Sequence, residues 1–300
     1  MQKPASTEAF RTPDERFQGL PDFDFEPHYR EVDGLRLAHL DVGEGPPILM
    51  IHGEPTWSFV WRKVIPPLVE AGYRCIAPDL AGCGRSDKPS DLGWYSLERH
   101  VALTERLVTD LDLRDLTLVL HDWGGTIGLT LAATERDRIS RAVILDTAID
   151  PSEVWMSERW VEFREFVERT EDLPAGWVMR VTLYNDPGDE VIAAYDAPYL
   201  GPESKVSLRA LPLLVERTDQ TPAGARTVIE ALRNDPRPFH IIWGANDTIL
   251  TATTAERFAS SIGRHVDEWI PSAGHGLPED QGPLLGERIA AWLAEVAPSS

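Results

Sequence analysis

Short apolar runs and longer amphipathic runs alternate along most of the chain. Leu35–Asp41, after a Val32-Asp33-Gly34 turn, reads as a strand, and Pro47–Ile51 is a second, wholly apolar one. Tyr73–Ala77, Thr117–Leu120, Ala142–Leu145, Phe239–Trp243 and 266–270 follow as further strands. Between them lie helical patterns. Trp61–Glu70 is helical apart from Pro66 and Pro67, which predict a broken or late start. Ser96 caps a helix carrying Leu97, Val101, Leu107, Val108 and Leu111, the stretch from Thr126 to Ala133 is helical, and 286–296 closes the chain as a helix. Residues 1–30 show no period and are expected to be an extended lead-in.

From about Pro151 to Leu232 the alternation stops. The stretches there are amphipathic and helical, with Met156, Trp160, Phe163 and Val167 on one helical face. Strands alternating with helices before and after such a block predict an α/β fold: a mostly parallel sheet with helices on both faces. Residues 1–150 and 233–300 would form the core. Residues 151–232 would be a helical insertion at the carboxyl edge of the sheet, where α/β sites lie.

Composition narrows the partners. Forty-nine acidic against 29 basic residues give a formal charge of −20, which argues against nucleic acid or an anionic membrane. Cys75 and Cys83 are too few for a disulfide scaffold. No apolar stretch reaches transmembrane length, and Met1–Gln18 lacks the apolar core of a signal peptide. A cytoplasmic monomer is expected.

The chemistry concentrates after three strands. Asp122 follows Thr117–Leu120 on a tight strand-to-helix turn, Asp247 follows Phe239–Trp243, and His275 follows 266–270. Nucleophile, acid and histidine in that order are the triad order of the α/β-hydrolase fold, with aspartate where serine usually stands. A carboxylate there suits attack on a saturated carbon bearing a leaving group, or on an epoxide. Asp122 could instead merely cap the following helix. His275 would take a proton from the water that cleaves the resulting ester, and Asp247 would orient the imidazole. Asp146, after a neighbouring strand, is the rival for that last role. The backbone N–H groups of Glu54 and Trp123 are placed to stabilise the oxyanion. His52 and Glu54 lack the companion motifs of a zinc site, and the glycines of 82–84 lack a dinucleotide fingerprint, so neither metal nor cofactor is expected.

Taken together, HGEPTWS at 52–58, GRSDKP at 84–89, DWGG at 122–125 and AGH at 273–275 resemble the haloalkane dehalogenases. The stretches Arg11–Phe17 and Ala193–Tyr199 are similar to that family as well. The resemblance spans nearly the whole chain and implies a small-molecule haloalkane substrate, with Asp122 displacing halide from an alkyl carbon. It further implies that indole N–H groups hold the halide. Trp123 fills one such position. The second is a tryptophan early in the insertion, in a pattern like W-R-x-F. Here Phe163-Arg164-Glu165-Phe166 matches it, and Phe163 has no N–H to give. Trp160, about one helical turn away, could substitute, although its place on the apolar face also suits core packing. The Glu54 side chain cannot substitute while ionised, since it would only accept. A second departure is Gly276, where the family usually has phenylalanine after the histidine. The alternative reading is an epoxide hydrolase using Asp122 with a tyrosine acid from the insertion: Tyr184, Tyr195 or Tyr199. A binding protein without catalysis is the reading from outside enzymes.

Overall fold

The computed structural model describes residues 8–149, 156–218 and 220–296. In chain order its elements are β1 (Ala9–Phe10), β2 (Pro27–Val32), β3 (Leu35–Val42), β4 (Pro47–Ile51), α1 (Ile65–Glu70), β5 (Arg74–Pro78), β6 (Lys88–Pro89), α2 (Leu97–Asp110), β7 (Leu116–His121), α3 (Trp123–Thr134) and β8 (Ile139–Leu145). There follow α4 (Glu158–Arg169), α5 (Ala175–Thr182), α6 (Asp189–Asp196), α7 (Val206–Leu213), α8 (Ala223–Arg233), β9 (Phe239–Gly244), α9 (Ala252–Ser261), β10 (Glu268–Ile270), α10 (Leu277–Asp280) and α11 (Gly282–Glu295).

Eight strands form one sheet in the order β10-β9-β8-β7-β4-β5-β3-β2. From β10 to β5 every pairing is parallel, while β3 and β2 run antiparallel at one edge. The central strands β4, β7 and β8 are apolar and buried along almost their whole length, as strands covered on both faces must be. The chain passes from β4 to β5 on one side, then to β7 on the other side of β4. The carboxyl ends of β4 and β7 therefore flank the crevice where open α/β sheets place their ligands.

Several elements differ from the sequence expectation. β2 lies inside the stretch read as a lead-in. Its face pattern is mostly exposed, with one buried residue, Val32, so it carries no alternation to read. Pro66 and Pro67 do not break α1. They occupy its first turn, where a missing N–H costs nothing, and a separate 3₁₀ turn covers 58–61. The helix after β7 starts at Trp123 rather than Thr126, so both glycines of DWGG are helical. Between β8 and β9 no strand occurs among the described residues. Of the helices there, α8 packs on α3, and its Ile229 and Leu232 join the main core. The lead-in is pinned in place: Arg11 makes a bidentate pair with Asp87, Thr12 donates to the Pro198 carbonyl at 2.6 Å, and Phe17 packs edge-on against Trp57.

Candidate active site

Asp122 sits at φ 51° and ψ −124°, a conformation that L-residues rarely adopt. The turn is held there by its neighbours. The Asp122 N–H donates to the Asp146 carbonyl, and its own carbonyl accepts from Gly125 N–H at 2.8 Å and Thr147 Oγ1 at 2.5 Å. Although Asp122 stands where a helix cap would, its side chain makes no capping bond. The carboxylate instead points toward the end of β4, where Oδ1 accepts the Glu54 N–H at 2.8 Å. Two glycines permit this approach. A Cβ on Gly53 would lie 2.1 Å from Asp122 Oδ1, and one on Gly124 would lie 2.0 Å from the Ile51 carbonyl. Burial opposes the charge on Asp122, but His275 and the Trp123 N–H outweigh it, so its pKa falls below the usual value. Asp122 is therefore ionised at neutral pH.

His275 faces it. Nε2 lies 3.4 Å from Asp122 Oδ2, and Nδ1–H donates to Asp247 Oδ2 at 2.8 Å. Asp247 is fixed in turn, its Oδ1 accepting from the N–H groups of Ile249 and Leu250. Burial disfavours a charged His275, yet the two flanking carboxylates prevail and raise its pKa well above the ordinary value. Asp146 does not bond His275. It is fully buried, and its Oδ1 accepts from Gly244 N–H at 2.8 Å. Burial and the nearby charge of Asp247 push its pKa well up, which disfavours a second charge there.

Glu54 changes character in the structure. Burial first, and the negative charge of Asp122 second, push its pKa well above the carboxylate range. The shift favours the protonated side chain, which has an O–H to donate, over the ionised one, which would only accept. His52 is a bracket for this loop. Nε2 accepts from Leu80 N–H at 3.0 Å, Nδ1–H donates to the Gly53 carbonyl at 2.8 Å, and burial keeps the ring neutral. Among the described residues no group of three His, Cys, Asp or Glu side chains is placed to hold a metal ion.

The Asp122 carboxylate opens onto a cavity of about 420 Å³ between the sheet and the helices after β8. Trp123, Trp160, Phe163, Trp177 and Val181 form much of its apolar wall, with Glu54 and His275 beside the carboxylate. A smaller recess of about 30 Å³ adjoins it. Asp122, Trp123 and Trp160 border both spaces.

A family model described as the alpha/beta hydrolase fold matches residues 46–281. A haloalkane dehalogenase of Mycolicibacterium paratuberculosis is 39% identical over 292 residues, covering 94% of this chain and 97% of that protein. One from Psychrobacter cryohalolentis is 35% identical, with the same coverage of each chain. The chain belongs to the haloalkane dehalogenase family. A tetrameric haloalkane dehalogenase structure from Paraglaciecola agarilytica superposes with a TM-score of 0.86 at 30% identity, covering 94% of this chain and 97% of that one.

The tyrosines required for the epoxide reading are not at the cavity onto which Asp122 opens. None lines the cavity among the described residues. Tyr184 is 54% exposed, Tyr195 is buried with its O–H donated to Glu279, and the buried Tyr199 O–H has no partner. That alternative is set aside. Phe163 borders the cavity without a donor, and Trp160 borders it with one. Trp160 packs with Trp123, Leu211 and Val215, so core packing and a place in the cavity wall are the same position.

Other supporting residues carried no sequence signal. Arg62, inside an apolar stretch, makes a buried bidentate pair with Glu279 at 2.6 and 2.9 Å, joined by Lys63 and the Tyr195 O–H. This ties α10, which directly follows His275, to the segment after β4. His121, beside the nucleophile, donates Nε2–H to the His275 carbonyl at 2.7 Å, and its ring is held neutral with a pKa lowered to about 4, chiefly by burial. Only their partners, distant in sequence, give these residues a role.

Proposed function

We propose that this protein hydrolyses haloalkanes to alcohol, halide and a proton through an ester on Asp122. One observation carries the reading: an ionised carboxylate, with one oxygen on a backbone N–H and the other 3.4 Å from a histidine backed by Asp247, faces an apolar cavity. Oδ2 attacks the carbon, the carbon–halogen bond breaks, and the halide leaves with the electron pair. His275 Nε2 then takes a proton from water, whose oxygen attacks the ester carbonyl. The N–H groups of Glu54 and Trp123 receive the oxyanion, and collapse releases the alcohol.

The electrostatics order these steps. Before alkylation, two carboxylates flank His275 and favour its charged form. Esterification neutralises Asp122, removes one of them and lowers the pKa of His275, which frees it as a base when one is needed. The halide sits between the Trp123 and Trp160 N–H groups, and the recess beside them has room for one water-sized sphere. The helices before α8 serve as the cap over the site. The free, buried Cys75 and Cys83 suit the cytoplasm.

The test is turnover of 1-bromobutane, 1,2-dibromoethane and styrene oxide by purified protein. Bromide release without diol is expected, and a His275→Ala variant should trap an ester on Asp122 detectable by mass spectrometry. Diol without bromide, or bromide release that survives Asp122→Asn, would overturn the reading.

A further inference from the structure

His275 lies in an irregular loop, 271–276, between β10 and α10. No helix or strand ladder fixes it, so other groups must satisfy its backbone. One carboxylate does much of this. Asp280 Oδ2 accepts from Gly274 N–H and Tyr184 N–H, each at 2.9 Å. Asp280 Oδ1 accepts from Asn185 N–H at 2.8 Å and more weakly from Asn185 Nδ2 at 3.3 Å. The same Nδ2 donates to the Ser272 carbonyl at 3.1 Å, and Gly276 N–H reaches the Thr182 carbonyl at 3.4 Å.

Two segments more than 85 residues apart are thereby stapled together. One bears His275. The other, 182–185, begins at the last residue of α5, whose Trp177, Val178, Val181 and Thr182 line the substrate cavity. The glycines flanking His275 leave no space between them. A Cβ on Gly274 would lie 2.5 Å from the Thr182 carbonyl, and one on Gly276 would lie 2.4 Å from Leu183 Cδ2.

We infer that Asp280 is a positioning residue for the hydrolytic half of the reaction, clamping the His275 loop against the helix that walls the substrate cavity. The inference rests on the aspartyl-ester reading above. The two half-reactions depend on it unequally. Asp122 sits on the turn between β7 and α3, which Asp280 does not touch, and alkylation needs no base. Hydrolysis needs His275 Nε2 aligned with a water and the ester, where a shift of a fraction of an ångström is costly. Asp247 and His121 still hold the ring and the carbonyl of His275 when Asp280 is removed, so the loop loosens without leaving the site.

The experiment is rapid-quench turnover of 1,2-dibromoethane by the full chain, following bromide and the Asp122 ester together. Asp280→Ala should keep the rate of the first bromide burst within about twofold of wild type. Its ester hydrolysis should slow by about tenfold or more, so that the ester accumulates. Asp280→Asn, which keeps one acceptor oxygen, should recover part of the rate. Asn185→Ala removes only the side-chain strap and should show a smaller change of the same kind. It also carries the test should Asp280→Ala fold poorly. Parallel loss of both half-reactions, or hydrolysis unchanged beside a normal wild-type burst, would overturn the positioning role alone. A wild-type protein that releases no bromide would overturn the aspartyl-ester reading, and this inference with it.

Discussion

Replacing Trp160 with phenylalanine tests its proposed role as the second half of a halide clamp. The substitution deletes the indole N–H and keeps an aromatic ring. Trp160 is only 7% exposed and packs with Trp123, Leu211 and Val215, so phenylalanine retains most of that contact, and the Ser157 cap on its backbone N–H is untouched. On the proposed role, what is lost is a hydrogen bond from the indole N–H to an anion. Hydrogen bonds to charged groups contribute about 1.5–3 kcal/mol. At about 1.4 kcal/mol per decade, bromide should bind about 10- to 150-fold more weakly. Calorimetric bromide titration and product inhibition of turnover both read this constant. Because the same bond stabilises the departing halide, kcat/KM for 1-bromobutane should fall as well. Trp123→Phe provides the comparison and should weaken bromide binding. If Trp160→Phe leaves both bromide affinity and kcat/KM unchanged while Trp123→Phe does not, Trp160 is wall and nothing more.

Other changes probe the same physics. Phe163→Trp restores an N–H at the position the family pattern reserves for one, and should tighten bromide binding by a few-fold in the same titration. Glu54→Gln preserves a neutral, donating side chain, so activity at pH 7 should stay within about threefold of wild type; a loss of tenfold or more would show that Glu54 works as a carboxylate. The variant should also escape the decline in kcat/KM expected of the wild type at high pH, where Glu54 ionises beside Asp122. His100 is buried with no partner on either ring nitrogen, and burial lowers its pKa from 6.5 to about 4. The unfolded chain therefore binds a proton that the folded chain refuses between those values, so this contribution to stability is full above pH 6.5 and is lost as pH falls toward 4. His100→Leu should gain about 2 kcal/mol over wild type on going from pH 7.5 to pH 5, read by urea unfolding at each pH; an equal difference at both pH values would refute the assignment.

The elements that proved legible were those whose burial is nearly complete. β4 is an unbroken apolar run and β7 nearly one, so their place at the centre of the sheet is legible in the sequence. β2 was not legible because it is an edge strand with mostly exposed residues, and α3 was read too short because its glycines are weak helix formers. Glycine is needed there because the helix passes so close to β4 that a side chain at Gly124 would meet the Ile51 carbonyl, a contact between residues more than 70 apart in sequence.

The sequence by itself determined the order of Asp122, Asp247 and His275 after three strands, the glycines that let their loops approach, and the family. These are local: a turn, a strand end, a motif. Tertiary structure alone decided charge states and partners. Asp146 and Asp247 are both aspartates after neighbouring strands, yet only Asp247 reaches His275, while burial and Asp247 disfavour a second charge on Asp146. Glu54 reads as an anion in the sequence, yet burial and Asp122 favour its protonated form. Trp160 reads as core and proves to be core that borders the cavity. Ionisation depends on what surrounds a group in space, and the sequence specifies those surroundings only through the folded chain.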